Sequence, residues 1–422
     1  MNARKKLTLN GHLTGVSVPV SALRSRDDCG IGEFKDLAHL GSWCRDTGLD
    51  LIQVLPLNDT GANASPYSAV SAFALHPVYI RLQDLPGAAH LADDIDAFRY
   101  GSLDRNRVNF NGVLSFKLEM LRRLFRINDE TDPELPAWID SNPWIRPYAV
   151  YKCLKQLNDE RSWEEWSIGR DLTPSEIEAT WHNLGTDALF HAWIQLHLDR
   201  QLREAAEELE SQGVYLKGDI PILMSVDSAD VWADRPYFNL DFRAGAPPDM
   251  YSTLGQMWGF PTYDWEALKM DGFDWWRSRL KQASRYYHAF RIDHVLGFFR
   301  IWSVPSTENT AVLGRYRPAS PLSESEIETV SDPAEPARHL TEAWTRREEA
   351  GQQLHEETQR VLDSYFDRFG DDDFRLRDIF ASEVAIECLD EDASVKSFLL
   401  SCHRDRTFLT TDGGRFVPAW FW

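Results

Sequence analysis

The chain has 422 residues, with 45 basic against 66 acidic side chains and a net charge of −21; such a field repels nucleic-acid phosphate and anionic lipid but is indifferent to a neutral ligand. Apolar residues make up 43% and charged ones 26%, enough for the core of one large α/β domain with insertions, or of two domains. Five cysteines, an odd number without a C-x-x-C pair, argue against a disulfide scaffold. No run is long and apolar enough for a membrane span or a signal peptide, so a cytoplasmic, reducing setting is expected.

A strand is predicted at 16–20, followed by a loop in which Gly30 and Gly32 supply a tight turn through left-handed backbone. This pair lacks the third glycine and the following helix of a dinucleotide fingerprint. A helix over 34–47, ended by Gly48, leads into a buried-looking strand at 49–57. From 84 to 185 the helical spacing of 113–125 and 147–157 predicts a mostly helical insertion. Over 187–211 the apolar residues Ile194, Leu198, Leu202, Ala205 and Leu209 fall near a 3.6-residue repeat, with Gly213 just beyond. That run reads as one amphipathic helix, with His191 and His197 structural or surface groups rather than catalytic ones.

A strand follows at 214–222, a helix around 274–288 and a strand at 290–293. Strands that alternate with helices and end in polar residues imply a parallel sheet, and a (β/α) barrel keeps its chemistry at those strand ends. Past 302 the composition turns to Pro, Ser, Glu and Thr, a surface excursion over 305–345, before helical spacing resumes at 350–369. Residues 416–422 are bulky and aromatic where a natural terminus is polar, so the chain is expected to be cut before its partners. The expected organisation is first barrel strands (1–83), helical insertion (84–185), central barrel segment (186–304), and excursion with partial continuation (305–422).

His355, Glu356 and Glu357 begin a zinc-type H-E-x-x-H pattern, but position 359 is Gln, so no metal is expected there. The strongest pattern is Arg291, Ile292, Asp293, His294 at a strand end. Residues two apart in a strand share a face, so the Arg291 guanidinium can sit beside Asp293 and favour its ionised form. A nucleophile at a glycosidic carbon needs that form. A buried arginine–aspartate pair that merely holds a strand end fits the same residues, and the motif alone leaves both readings open.

A second cluster bears on the choice. Residues 218–222 read G-D-I-P-I, 228–232 S-A-D-V-W, 245–249 G-A-P-P-D, and 255–261 G-Q-M-W-G-F-P. Upstream stand Gly30-Ile31-Gly32, Gln53-Val54-Leu55-Pro56 and the stretch S-P-Y-S-A-V-S-A-F over 65–73. In this order the motifs resemble those of the amylomaltase family, the 4-α-glucanotransferases or disproportionating enzymes, over about residues 15–302. The resemblance implies an α/β fold, a (β/α)8 TIM-type barrel with a helical insertion subdomain, incomplete in this chain. It implies transfer of α-1,4-glucan segments between maltodextrins by a retaining double displacement.

Carried onto matching positions, the resemblance makes Asp293 the nucleophile, Arg291 the group that holds it and His294 a partner of sugar hydroxyls. Asp219 would shape the subsite, Tyr67 and Trp258 would be aromatic platforms for glucose rings, and Asp249 and Tyr251 would lie in a loop closing over the glucan. Maltose, maltodextrins and glycogen-like or soluble glucans are the implied partners, with no nucleic acid, no membrane, and no metal or organic cofactor. Core packing for Tyr67 and Trp258, a helix cap or buried hydrogen bond for Asp219 and a turn for Asp249 are the structural alternatives.

The stretches 297–302 and 313–323 resemble the plant-cytosolic branch of that family and its bacterial relatives, which carry extra sequence after the nucleophile strand. The family's acid/base glutamate, in an E-D-L-G motif, is not found. Glu383 lacks the following Asp-Leu-Gly and is not expected to replace it. The acid/base is therefore expected beyond Trp422, and this polypeptide alone is expected to show little transfer. A hydrolase using the same site and a catalytically inactive glucan-binding protein are the competing readings.

Overall fold

A computed structural model of the chain describes residues 11–101, 107–128, 132–330, 337–411 and 413–419; the aromatic residues at 420–422 lie outside them. Strand β1 (Gly15–Val18) precedes helix α1 (Asp36–Thr47), which ends at Gly48 with φ 75°, a left-handed cap that glycine adopts at least cost. In β2 (Leu51–Val54), half-buried Leu51 and Gln53 alternate with buried Ile52 and Val54, the period of a strand with one face on a core. Helices α2 (Ala92–Gly101), α3 (Phe110–Ile127), α4 (Leu135–Ser141), α5 (Ile145–Leu157), α6 (Pro174–Leu184) and α7 (Thr186–Ser211) follow. Next come β3 (Tyr215–Ile220), α8 (Ala229–Ala233), β4 (Phe238–Ala246), β5 (Gln256–Tyr263), α9 (Trp265–Met270), α10 (Asp274–Ala283), β6 (Ala289–Ile292), β7 (Ile301–Pro305) and β8 (Arg315–Arg317).

Two compact units result: Met1–Phe238 with Asp264–His294, and Asn239–Tyr263 with Val295–Trp422. In the first, β1, β2, β3 and β6 form one sheet in that order, every pair parallel. Strands laid side by side in chain order are wound as in a (β/α)8 barrel; a doubly wound sheet would reverse direction at a switch point. Among the described residues this sheet holds four strands where a closed barrel has eight. Ile52, Val54 and Leu216 are wholly buried beneath it, each contributing roughly 1.5–3 kcal/mol.

Polar side chains fasten the long loop after β2 to the helices. On α7, the Gln195 amide both accepts from the Leu75 N–H and donates to the Leu75 carbonyl, each at 2.8 Å. Gln201 clamps Arg81 in the same way at 2.8 and 2.9 Å. On α3, Lys117 occupies a core position, fully buried. Its ammonium donates to Glu33 at 2.6 Å and to the carbonyls of Val78 and Ile80 at 2.8 and 2.7 Å. Arg81 completes the network with Glu33 and Asp36. His191 and His197 on α7 are buried, and burial brings their imidazoles down to about 3 and about 4, neutral groups of the core.

The second unit carries a four-stranded sheet in the order β5–β4–β7–β8, antiparallel where β4 meets β7 and β7 meets β8. A smaller core around Val361, Phe366, Phe374 and Phe398 gathers the helices near 347–404. All five cysteines are free thiols.

Several expected elements differ in detail. The helix expected around 274–288 stops at Ala283, because the His288 N–H already pairs with the Leu216 carbonyl at 2.9 Å and draws the chain into the sheet. The helical run at 350–369 is two helices, Arg347–Leu354 and Thr358–Tyr365, separated where His355 takes φ 51°. The excursion over 305–345 contains β8 and a helix at Glu324–Val330. Gly30 is left-handed at φ 93°. Gly32 is not, and is required instead because a Cβ there would collide with the Val20 carbonyl.

Candidate active site

In the register of β3 against β6, Asp219 stands opposite Arg291 and Ile220 opposite Ile292. The Asp293 N–H extends that ladder by donating to the Ile220 carbonyl at 3.1 Å. The Arg291 guanidinium is thereby placed between two carboxylates. Nη1 donates to Asp219 Oδ2 at 2.6 Å, and Nη2 donates to Asp293 Oδ1. The Tyr67 hydroxyl also donates to Asp219 Oδ2, at 2.9 Å.

The two carboxylates differ in access. The Asp219 side chain is wholly buried, whereas that of Asp293 is 36% exposed and that of Arg291 41%. Asp219 therefore acts as the anchor of the arginine. Asp293 spends one oxygen on Arg291, and among the described residues its Oδ2 carries no protein hydrogen bond. That is the geometry of a carboxylate held in place yet open to attack a carbon. Burial would lower the Arg291 pKa, but Asp219 and Asp293 outweigh it and raise the value, so the cation is permanent. Burial and then the bond to Asp219 raise that of Tyr67, which stays a phenol and a donor.

The loop that carries Tyr67 is pinned by residues that the sequence did not single out. The Asp59 N–H donates to the Ala74 carbonyl at 2.9 Å, and its own carbonyl accepts from Val70 at 2.7 Å. Its buried carboxylate accepts from Gly61 N at 2.9 Å, Tyr148 Oη at 2.7 Å and Lys152 Nζ at 3.1 Å. Burial alone would raise the Asp59 pKa; Lys152 and His76 reverse that and carry it well below the usual carboxylate range. Asp230 accepts from Ala72 N at 2.8 Å. Its S-A-D-V-W motif was visible in the sequence, but the motif did not reveal this role.

His294 follows Asp293 with φ 49°, uncommon for a side-chain-bearing residue and a form of strain that gathers at functional sites. Asp249, Tyr251 and Trp258 belong to the second unit. Asp249 Oδ1 accepts from the N–H groups of Tyr251 and Ser252, both at 2.8 Å, so this residue fixes a turn. Tyr251 at the tip is 90% exposed. Trp258 is half-buried in β5, its Nε1 donating to Gln256 Oε1 at 3.1 Å. The Tyr67 hydroxyl is committed to Asp219.

Glu383, also in the second unit, is fully buried. It accepts from Asn309 N at 2.8 Å, Thr310 N at 2.7 Å, Thr310 Oγ1 at 2.6 Å and Arg404 Nε at 2.6 Å. Burial would raise its pKa, but Arg404 and Thr310 hold it below the usual range. A carboxylate so paired fastens a loop and does not deliver a proton.

The sequence profile of a family described as 4-alpha-glucanotransferase (Glyco_hydro_77) matches residues 18–332. The 4-alpha-glucanotransferase DPE2 of Oryza sativa subsp. japonica is 37% identical over 330 residues, covering 74% of this chain and 34% of that protein. The 4-alpha-glucanotransferase of Chlamydia caviae is 34% identical over 316 residues, 73% of this chain and 58% of that protein. The chain thus spans about a third to three fifths of the length of these relatives. The amylomaltase from Streptococcus agalactiae in complex with acarbose superposes with a TM-score of 0.67 at 26% identity, covering 76% of this chain and 68% of that one.

Proposed function

The chain belongs to the 4-alpha-glucanotransferase family, and from that premise we propose that it moves α-1,4-glucan segments between maltodextrins, with Asp293 as the nucleophile. The observation that carries this reading is the Tyr67–Asp219–Arg291–Asp293 chain of hydrogen bonds, which ends in one open carboxylate oxygen.

In the first step Asp293 Oδ2 attacks the anomeric carbon as the bond to the leaving glucan oxygen breaks, giving a glycosyl ester of inverted configuration. In the second, the 4-hydroxyl of an acceptor glucan displaces the carboxylate and restores the α-linkage. Arg291 keeps the nucleophile anionic and aimed, and Tyr67 and Asp219 keep Arg291 aimed. The proton delivered to the leaving oxygen comes from a second carboxyl group, which retaining enzymes place about 5–5.5 Å from the first; Asp219, wholly buried and with its Oδ2 held by Arg291 and Tyr67, does not fill that role. His294, beside the nucleophile, bonds sugar hydroxyls, and in the second unit the exposed Tyr251, with Asp249 and Trp258, contacts glucan. The substrates are neutral maltodextrins, with maltose or a glycogen-like or soluble glucan as acceptor, in a cytoplasmic setting and without metal or organic cofactor.

A maltotriosyl fluoride donor tests this without requiring the acid, because fluoride leaves unprotonated. Fluoride release, as Asp293 takes up the maltotriosyl group, is expected and is lost in Asp293→Asn. Release of maltotriose with no longer product would make the protein a hydrolase.

A further inference from the structure

A cavity of about 660 Å³ opens in the first unit between the segment preceding α5 and helices α8 and α10. It shares no lining residue with the chain from Tyr67 to Asp293, and its size is that of small-molecule sites, roughly 300–1,000 Å³. Its floor is aromatic. The rings of Phe73 and Trp144 lie nearly parallel at 5.9 Å, with Trp275 edge-on to Phe73 at 6.0 Å, and Trp144 is only half-buried. Its rim is acidic, with Asp271 and Asp274 exposed on either side of the start of α10.

Within this frame Asp234 is unusual. Its neighbour Asp230 is spent on the Ala72 N–H, whereas among the described residues the Asp234 carboxylate has no ion pair or side-chain hydrogen bond. Burial, then Asp230 and Asp271, push its carboxyl up to about 7. A group poised there both donates and accepts hydrogen bonds at neutral pH.

The lining selects the ligand class. Four aspartates line the cavity against Lys281 and Arg285, and Arg285 is already paired with Asp199, so the balance disfavours an anion while the lining is too polar for a purely apolar guest. Among the described residues no three carboxylate, imidazole or thiol groups gather closely enough to hold a metal ion. An uncharged polyol satisfies both surfaces, since the C–H face of a pyranose lies on an indole and its hydroxyls donate to carboxylates. We propose that this cavity is a second saccharide site, seating a glucose unit of an α-glucan on Trp144 with its hydroxyls on Asp234 and Asp271. That the sugar is an α-glucan rests on the transferase reading of the Asp293 site.

Titration of the chain with maltotriose, followed by calorimetry and saturation-transfer NMR, tests it. Two sites are expected. Asp234→Ala weakens one by about tenfold, near the loss of one hydrogen bond to a charged group. Ser278→Trp, which fills the cavity from an exposed position on α10, weakens the same site without touching the core, while His294→Ala affects only the other. A chain that binds no maltotriose, or whose binding both cavity variants leave unchanged, overturns the proposal. If the cavity variants act and His294→Ala does not, the second site stands and the transferase reading fails.

Discussion

Replacing Arg291 by Met isolates what the arginine contributes. Methionine keeps the length and apolar stem but leaves the wholly buried Asp219 carboxylate with the Tyr67 hydroxyl as its remaining donor among the described residues and no cation. Breaking a buried pair by deleting one partner costs about 3–5 kcal/mol. Because the Arg291 side chain is 41% exposed, screening reduces this, and about 2–3 kcal/mol is the expected loss. The β3–β6 ladder reports it locally. The Asp293 N–H, bonded to Ile220, should exchange roughly 30- to 160-fold faster where opening controls exchange, at 1.36 kcal/mol per tenfold. Adding Asp219→Asn removes the stranded charge, so the double variant should recover most of the loss, a coupling of at least about 1.5 kcal/mol. A single variant within about 0.5 kcal/mol of the parent, or no recovery in the double, would refute the view that Arg291 is tied to Asp219 as strongly as to Asp293.

Two further substitutions probe the frame. Lys117→Met strands Glu33 and two carbonyls in the core and should destabilise the first unit by about 3–5 kcal/mol in urea unfolding, with Glu33→Gln partly restoring it; a change under about 1 kcal/mol would contradict the assigned network. Asp234→Asn should stabilise. The folded carboxyl sits near 7 against an ordinary 3.8, so folding is favoured below the ordinary value and loses stability as pH rises through the raised one. The gain from Asn should therefore grow between about pH 4 and pH 7 and flatten above; a gain independent of pH would show that the carboxyl is not raised.

The parallel strands were legible because each is a short apolar run ended by a polar residue, and the pairing of Arg291 with Asp293 followed from a period of two. What one strand cannot disclose is a partner in another. Asp219 lies 72 residues before Arg291 and Tyr67 another 152 before Asp219, so the three-residue relay behind the nucleophile emerged only with the fold. Lys117 is the same case: at a core position of α3 it looks misplaced until Glu33, 84 residues upstream, is seen beside it. Strands β4 and β5 were not predicted, because the glycines and prolines of their motifs mask the alternation of an antiparallel sheet. Asp249 was legible as a turn from its two preceding prolines. Tyr67 was not legible as a donor, since a motif does not say which end of a phenol is in use.

Mapping a trapped intermediate tests the central claim most directly. Incubation with 5-fluoro-glucosyl fluoride, which glycosylates a nucleophile without needing a proton for its leaving group, followed by peptide mass spectrometry, should find one glucosyl ester, on Asp293, and none in Asp293→Asn. An ester on any other carboxylate would contradict the account, as would labelling that survives the substitution.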